Sequence, residues 1–268
     1  QLGKPRPKVY WGETAYKELC QQQGVNLVYV CTDWMSHVPI AIHAMEQGRS
    51  VAVEVPAALT LKDIWMLIDT AEQTRQHCMM LENAVYDRFE MAVCQMVHEG
   101  LLGELVHVEG GYAHPIGDRW TAWRMEYSRL NAGDIYPTHS IGPVCRLLDI
   151  HRSDRMHYLT AMQTNAFKGA EMYQEVMGKA CDSFANGDQT STMIRTVKGK
   201  TMLIQHNVMT PRPYNRMFQA VGTQGYAAKY PVPEVQLSPE MAAKVGIEME
   251  DNNLPLKASQ IETLLNYY

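Results

Sequence analysis

What the chain lacks narrows it first. No G-x-G-x-x-G turn occurs in its 268 residues. The usual cradle for a dinucleotide pyrophosphate, a glycine-rich loop opening a helix, is therefore missing from the sequence. Six cysteines (Cys20, Cys31, Cys78, Cys94, Cys145, Cys181) are scattered without a C-x-x-C pair, so neither a disulfide framework nor a zinc site is favoured and buried free thiols are expected. With 24 basic and 29 acidic side chains the net charge is −5, and nothing builds the basic stripe of a nucleic-acid binder. Apolar runs are broken by charges or prolines well short of membrane-spanning length. Nothing in the composition assigns a compartment. A chain opening at Gln1, with neither methionine nor a signal-peptide pattern, suggests a processed or trimmed N-terminus. Eighteen methionines, most on apolar faces, read as flexible core filler.

What is present falls into two patterns. From 25 to about 110, short apolar runs alternate with longer helical ones. "NLVYVC" (26–31), "SVAVEV" (50–55) and "HCMMLE" (77–82) have strand length, and "ELVHVEGGY" (104–112) begins another strand. Between them, helices are expected over 37–48, ending on Gly48, over 61–76 behind an N-cap at Thr60 with Asp63 three residues on, and over 87–100. Strands alternating with helices imply a parallel sheet with covered faces. Ligands of such sheets sit at the carboxyl ends of the strands, here Thr32–His37, Glu54–Pro56 and Glu82–Asn83, all rich in polar residues. After His139 the runs at 155–167, 190–197, 201–210 and 214–223 are of β type, with "KGK" at 198–200 as a hairpin turn. Consecutive strands without helices predict an open antiparallel sheet in a second, α+β domain. The boundary is expected near 105–115, giving a Rossmann-like domain over 1–110 and a second domain over 111–268. The polar tail from 234 to 253 shows no clear pattern.

"CTDWMSHVPIAIHAMEQGRSVAVEVPAALT" (31–60) resembles the fourth and fifth strands of the Gfo/Idh/MocA oxidoreductases, where a Thr–x–x–x–x–His turn follows one strand and Glu–Lys–Pro the next. Val55 stands where most members have lysine. A valine there is similar to one branch, glycoside hydrolase family 109, the NAD-dependent α-N-acetylgalactosaminidases. That similarity continues through "MLENAVYDR" (80–88), "GELVHVEGGYAH" (103–114), "AWRMEY" (122–127), "GDIYPTHSIGPV" (133–144), "IHRSDR" (150–155) and "TPRPYNR" (210–216). Against that family the chain lacks the first βαβ with its glycine turn and a C-terminal portion, so both domains are expected to be incomplete at those ends.

The resemblance implies a retaining glycosidase working through NAD. Oxidation at C3 of the sugar acidifies C2, the C1 leaving group is eliminated, water adds, and C3 is reduced again. Such enzymes dispense with the two-carboxylate scheme, and the cofactor supplies the difficult step. His139 and Tyr136 then become candidates for acid/base work and substrate contact, since an imidazole titrates near neutral pH. Glu82 is a candidate partner in proton transfer, because a carboxylate at a strand's carboxyl end is costly unless used or paired. The resemblance assigns Tyr112, Arg124 and Tyr214 to the sugar. It assigns Thr32, Trp34, Met35, Ser36, His37, Glu54, Val55, Asn83 and Trp123 to the NAD side. The partner is a small-molecule or glycan substrate with terminal α-N-acetylgalactosamine, and a homo-oligomer is expected. His107, His114 and His139 lack an acidic or cysteine partner at ligand spacing, so no metal is expected.

Plainer readings stand beside these. His139 could be a satisfied group at a helix N-terminus, the tyrosines packing, Arg124 half of a surface ion pair and Trp34 core. An NAD(P)-dependent sugar oxidoreductase and a non-catalytic sugar-binding relative remain open alternatives.

Overall fold

A computed structural model describes residues 3, 6–249 and 251–268. Its contacts divide the chain into two compact units, separated in sequence between Glu82 and Asn83.

The first unit holds α1 (Ala15–Cys20), β1 (Leu27–Val30), α2 (Trp34–Glu46), β2 (Ser50–Val53), α3 (Leu61–Thr74) and β3 (Cys78–Met80). The strands pair in parallel in the order β1-β2-β3, as alternating strand and helix patterns require. Helix α2 begins three residues before the expected start because Asp33 caps it, its Oδ1 accepting the Ser36 N–H at 3.1 Å. Gly48 closes it at φ +73°: the Gly48 and Arg49 N–H groups return to the carbonyls of Met45 and Ala44, each at 2.9 Å. Thr60 caps α3 by accepting the Asp63 N–H, while its hydroxyl donates to the Asp63 carboxylate. Val28, Val30, Val51 and Val53 pack with Ala41, Met45 and Leu67 in one core. That core covers one face of the sheet. Leu27, Tyr29 and Met79 stay exposed, so the expectation of two covered faces fails within the described residues.

The second unit contains α4 (Arg88–His98), β4 (Leu105–Ala113), α5 (Ala122–Leu130), α6 (Thr138–Leu147), β5 (Met156–Gln163), α7 (Gly169–Met177), β6 (Thr190–Thr196), β7 (Thr201–Asn207), β8 (Gln219–Gly222), β9 (Gly225–Ala228), β10 (Glu234–Leu237), α8 (Pro239–Lys244) and α9 (Ala258–Tyr267). Its seven-stranded sheet has the order β10-β9-β8-β4-β7-β6-β5. The expected antiparallel sheet is in fact mixed, because β4 and β7 run parallel at its centre while the other neighbours are antiparallel.

Three further expectations need correction. The division falls at Glu82, well before 110, because Phe89, Val93 and Met96 of α4 share a core with Val108, Val144, Met202 and Phe218. The run at 104–112 is the middle strand of the second sheet, bonded to β7 and β8, and does not extend the parallel one. The polar tail is structured: β10 pairs with β9, and the Ser238 hydroxyl caps α8 by accepting the Met241 N–H. All six cysteines are free thiols, but Cys31 is exposed.

Two adjacent glycines shape β4. A Cβ on Gly110 would overlap the carbonyl oxygen of Ser140 on α6, and one on Gly111 would come within 2.9 Å of the Met217 side chain. Gly110→Ala is therefore expected to destabilise the second unit by roughly 1–3 kcal/mol through overpacking. Urea unfolding measures this, and an unchanged midpoint would show that α6 can retreat from the strand without cost.

Candidate functional site

The sequence "GDIYPTHS" becomes a pinned loop followed by a helix start. Gly133 has φ +84°, which only glycine adopts readily. Its N–H donates to Gln163 Oε1 and its carbonyl accepts from Asn186 Nδ2, both at 2.7 Å. The Tyr136 N–H donates to Asp134 Oδ1 at 3.1 Å. Pro137 then opens α6, its carbonyl taking the Ser140 and Ile141 N–H groups. Tyr136 and His139 thus leave a fixed backbone on adjoining turns, and both are half-buried.

Tyr112, near the end of β4, is the hub of what surrounds them. Its ring centroid lies 5.0 Å from His139, 5.3 Å from Tyr136 and 4.7 Å from His114. His206, its register partner on β7, lies 6.4 Å away and nearly parallel. Tyr214 meets His114 at 5.0 Å and Tyr230 at 5.9 Å, and is 49% exposed. The segment carrying Tyr214 is sewn to β4. The Gly111 N–H donates to the Arg216 carbonyl at 2.6 Å, and Ala113 and Asn215 exchange both of their backbone bonds. The result is a cluster of imidazoles and phenols with its base buried and Tyr214 at its rim.

Burial raises the Tyr112 phenol above the usual tyrosine value and Tyr214 adds to that, against the guanidinium groups of Arg119, Arg124 and Arg216. Three guanidinium groups therefore act on this hydroxyl electrostatically. Burial likewise raises Asp134, with His206 opposing, and lowers His206, with Asp134 opposing and His114 adding. Arg124 stacks on Trp123, its guanidinium 4.4 Å from the ring centroid, and donates to the Arg119 carbonyl at 3.3 Å. It is not half of an ion pair with a carboxylate in these contacts.

Behind Tyr214 and Tyr230 lies a quartet of charges. Lys229 Nζ reaches Asp87 Oδ2 at 2.6 Å and Glu90 Oε2 at 2.7 Å, and Arg216 Nη2 reaches Asp87 at 3.0 Å and Glu90 at 3.7 Å. The Glu90 side chain is only 2% exposed. Partial burial alone would raise Asp87, but the hydrogen bond and charge of Lys229 and the charge of Arg216 outweigh it and hold its carboxyl below the ordinary value.

In the first unit the predicted residues at the strand ends take different places. Thr32 and Met35 are exposed, and Glu54 is half-buried and receives the Tyr29 hydroxyl. Trp34 and Val55 are buried, and Ser36 donates its hydroxyl to Asp33 Oδ2. His37 is turned inward at 1% exposure, with Nδ1 2.8 Å from the Pro56 carbonyl and Nε2 3.3 Å from that of Thr32. Its polar atoms brace the two loops that follow β1 and β2. Glu82 is buried at the end of this unit, and Asn83 is exposed at the start of the next. His107 is drawn away to the β4–β7 ladder, against Thr201 and Glu109. Among the described residues, no group of three or more His, Cys, Asp or Glu side chains is placed to hold a metal ion.

The family model for glycosyl hydrolase 109, C-terminal domain, matches residues 117–251, and that for the oxidoreductase family, NAD-binding Rossmann fold, matches residues 9–82. The chain belongs to glycosyl hydrolase family 109. It is 52% identical to glycosyl hydrolase family 109 protein 1 of Bacteroides fragilis strain YCH46, over 89% of this chain and 53% of that protein. It is 41% identical to an alpha-N-acetylgalactosaminidase of B. fragilis strain ATCC 25285, over the whole chain and 64% of the relative. The chain thus spans about half the length of the first of these relatives and under two thirds of the second. A solved structure of levoglucosan dehydrogenase in complex with NADH and L-sorbose shares the fold, with a TM-score of 0.68 at 19% identity over 85% of this chain and 61% of that one.

Within this family 109 chain, the second unit assembles Tyr112, Tyr136, His139 and Tyr214, which the sequence resemblance had singled out. Asp134, His114, His206 and the charge quartet escaped it. The β4–β7 register that sets His206 beneath Tyr112 joins positions 94 apart, and nothing local announces it. Asp134 and His114 stood in the quoted motifs and could have been taken up from there. On the NAD side, the N-terminus of α2 is already filled by the Asp33 carboxylate and is no phosphate cradle. Polar Thr32 and Glu54 beside apolar Trp34, Met35 and Val55 fit instead the ribose and nicotinamide portion of the cofactor.

Lys229→Met would leave Glu90 buried with only the longer Arg216 contact. A loss of roughly 3 kcal/mol is expected, the lower end of the cost of breaking a buried ion pair, measured by urea unfolding. Because Asp87 is depressed in the folded state, its contribution is complete above the ordinary carboxylate value and disappears as pH falls through the depressed one. The variant should therefore lose less stability than the parent on acidification from about pH 5 to about pH 3.

Proposed function

We propose that this chain carries the nicotinamide-side sheet edge and the sugar pocket of an NAD-dependent glycosidase that removes terminal α-linked N-acetylgalactosamine. The observation that carries the reading is the convergence of Tyr112, Tyr136 and His139, with ring centroids 5.0–5.3 Å apart, on the end of one strand. Phenols offer an apolar ring face and a hydroxyl to a hexose, and an imidazole can pass a proton in both directions. The name of the B. fragilis relative supports the sugar, and the Rossmann-type match over residues 9–82 supports the cofactor.

In this reading Thr32, Trp34, Met35, Glu54 and Val55 hold the nicotinamide half of NAD, with Ser36 and His37 bracing the loop from behind. When bound, NAD supplies reversible two-electron oxidation at C3 of the sugar. The chain's own residues do the rest. His139 takes the acidified C2 proton and later returns it, Tyr136 donates to a sugar hydroxyl, and Glu82 is a further candidate for proton transfer. Tyr112 and Tyr214 pack and hydrogen-bond the ring. Arg124, held flat on Trp123, orients a polar substituent. Val55 offers no ammonium for proton movement at a carbinol, which favours glycosidase turnover over net dehydrogenation. Self-association through β5 is part of the proposal, supported by exposed Tyr158, Leu159 and Met162 on that edge strand.

The likeness in fold to a sugar dehydrogenase favours a second reading, an NAD(P)-dependent sugar oxidoreductase. One assay separates the two. With an aryl α-N-acetylgalactosaminide and NAD in heavy water, the glycosidase should release sugar carrying deuterium at C2, and His139→Ala should slow release by roughly 10²–10⁴-fold. Sugar released without label at C2 rules out the elimination route. Accumulation of NADH with free sugar, without glycoside cleavage, favours the dehydrogenase.

A further inference from the structure

Two side chains distant in sequence take hold of the glycine at the head of the Tyr136–His139 loop. Gly133 has both of its polar backbone groups engaged: its N–H donates to Gln163 Oε1 and its carbonyl accepts from Asn186 Nδ2, each at 2.7 Å. Gln163, the last residue of β5, also grips the chain on either side of Asn186. The Gly187 N–H donates to the same Oε1 at 3.2 Å, and Gln163 Nε2 donates to the Ala185 carbonyl at 3.1 Å. That segment is tied in turn to the end of α5, the helix bearing Arg124. The Ala185 and Asn186 N–H groups donate to the carbonyls of Arg129 and Ser128 at 3.0 and 3.2 Å. Gly187 permits the approach, since a Cβ there would lie 2.2 Å from the Thr164 carbonyl oxygen.

Asn186 is fully buried, yet its Oδ1 has no hydrogen-bond partner among the described residues. A buried amide with an unserved oxygen costs stability. Packing therefore does not account for an asparagine here, whereas the bond to Gly133 does, and an aspartate would set an oxygen against the Gly133 carbonyl. Glycine at φ +84° has many other conformations open to it, so the two bonds are what select this one.

We propose that Gln163 and Asn186 are positioning residues of the sugar site, which grip Gly133 from both sides and so set where Tyr136 and His139 stand against Tyr112. They act through the backbone of the loop. A base must meet its proton within hydrogen-bond reach, and a displacement of about 1 Å can slow turnover by about 10²-fold. The consequence for turnover rests on the glycosidase reading, whereas the grip itself is observable without activity.

The decisive variant is Gln163→Ala, at an exposed position. Amide hydrogen exchange followed by NMR should show the Gly133 N–H exchanging about tenfold faster or more. A rate within about twofold of the parent overturns the grip. In the aryl glycoside assay, kcat per folded molecule should fall roughly 10–100-fold, by a larger factor than KM rises. A lowered urea midpoint with kcat unchanged would mean a merely structural role and overturn the proposal. Gln163→Glu keeps an acceptor for the Gly133 N–H, so it should retain slow exchange there and kcat within about threefold of the parent. Slow exchange with kcat as low as in Gln163→Ala overturns the proposal. Should Gln163→Ala fail to fold, the unaltered protein decides: a Gly133 amide exchanging as in an open chain refutes the grip, and a protected one supports it. Absence of glycoside cleavage by the unaltered protein overturns the glycosidase reading alone, and the exchange result still supports or overturns the grip.

Discussion

The site depends on how closely two pieces of chain approach the central strand. Gly110 admits the first turn of α6, and Gly111 admits the segment through Met217, each where a side chain would intrude. Met217 itself sits at φ +48°, held by its N–H donating to Asn215 Oδ1 at 2.6 Å. Backbone bonds from Gly111 and Ala113 then lock this segment in register. His139 therefore reaches Tyr112, and Tyr214 reaches its neighbour His114, because β4 presents no Cβ over two consecutive residues. Close-packed interiors do not yield to an extra methyl group, so the spacing of the rings is a property of the backbone more than of any side-chain choice.

Charge is managed around that cluster in two ways. The quartet of Asp87, Glu90, Arg216 and Lys229 is neutral as a set, with each acid served by a cation, and it anchors the base of α4 to the segments bearing Tyr214 and Tyr230. By contrast, burial pushes the Asp134 carboxyl up and the His206 imidazole down, and Asp134 Oδ2 has no hydrogen-bond partner among the described residues.

Local patterns predicted the first unit well. The strands at 27–30, 50–53 and 78–80 and the helices between them follow from apolar runs and from capping residues such as Thr60 and Gly48, all signals carried within a few positions. Prediction fared worse where partners are distant. The run at 104–112 has strand character in either sheet, and only its ladder with β7 and β8 assigns it to the second. The polar tail looked unpatterned because β10 is four residues long and gains its order from β9. His37 had the look of a ligand contact from its place in a motif, yet burial turned both its nitrogens to carbonyls.

The sequence by itself determined the elements of the first unit and, through its motifs, singled out Tyr112, Tyr136, His139 and Tyr214, which the structure gathers in one aromatic cluster. Helix caps, turn glycines and apolar period act between near neighbours, so they can be read along the chain. Only the tertiary structure decided that β4 and β7 lie parallel and side by side, and that His206 rests against Tyr112. Those outcomes follow from strand register between positions 94 apart in the chain, a choice made by packing that no local pattern encodes.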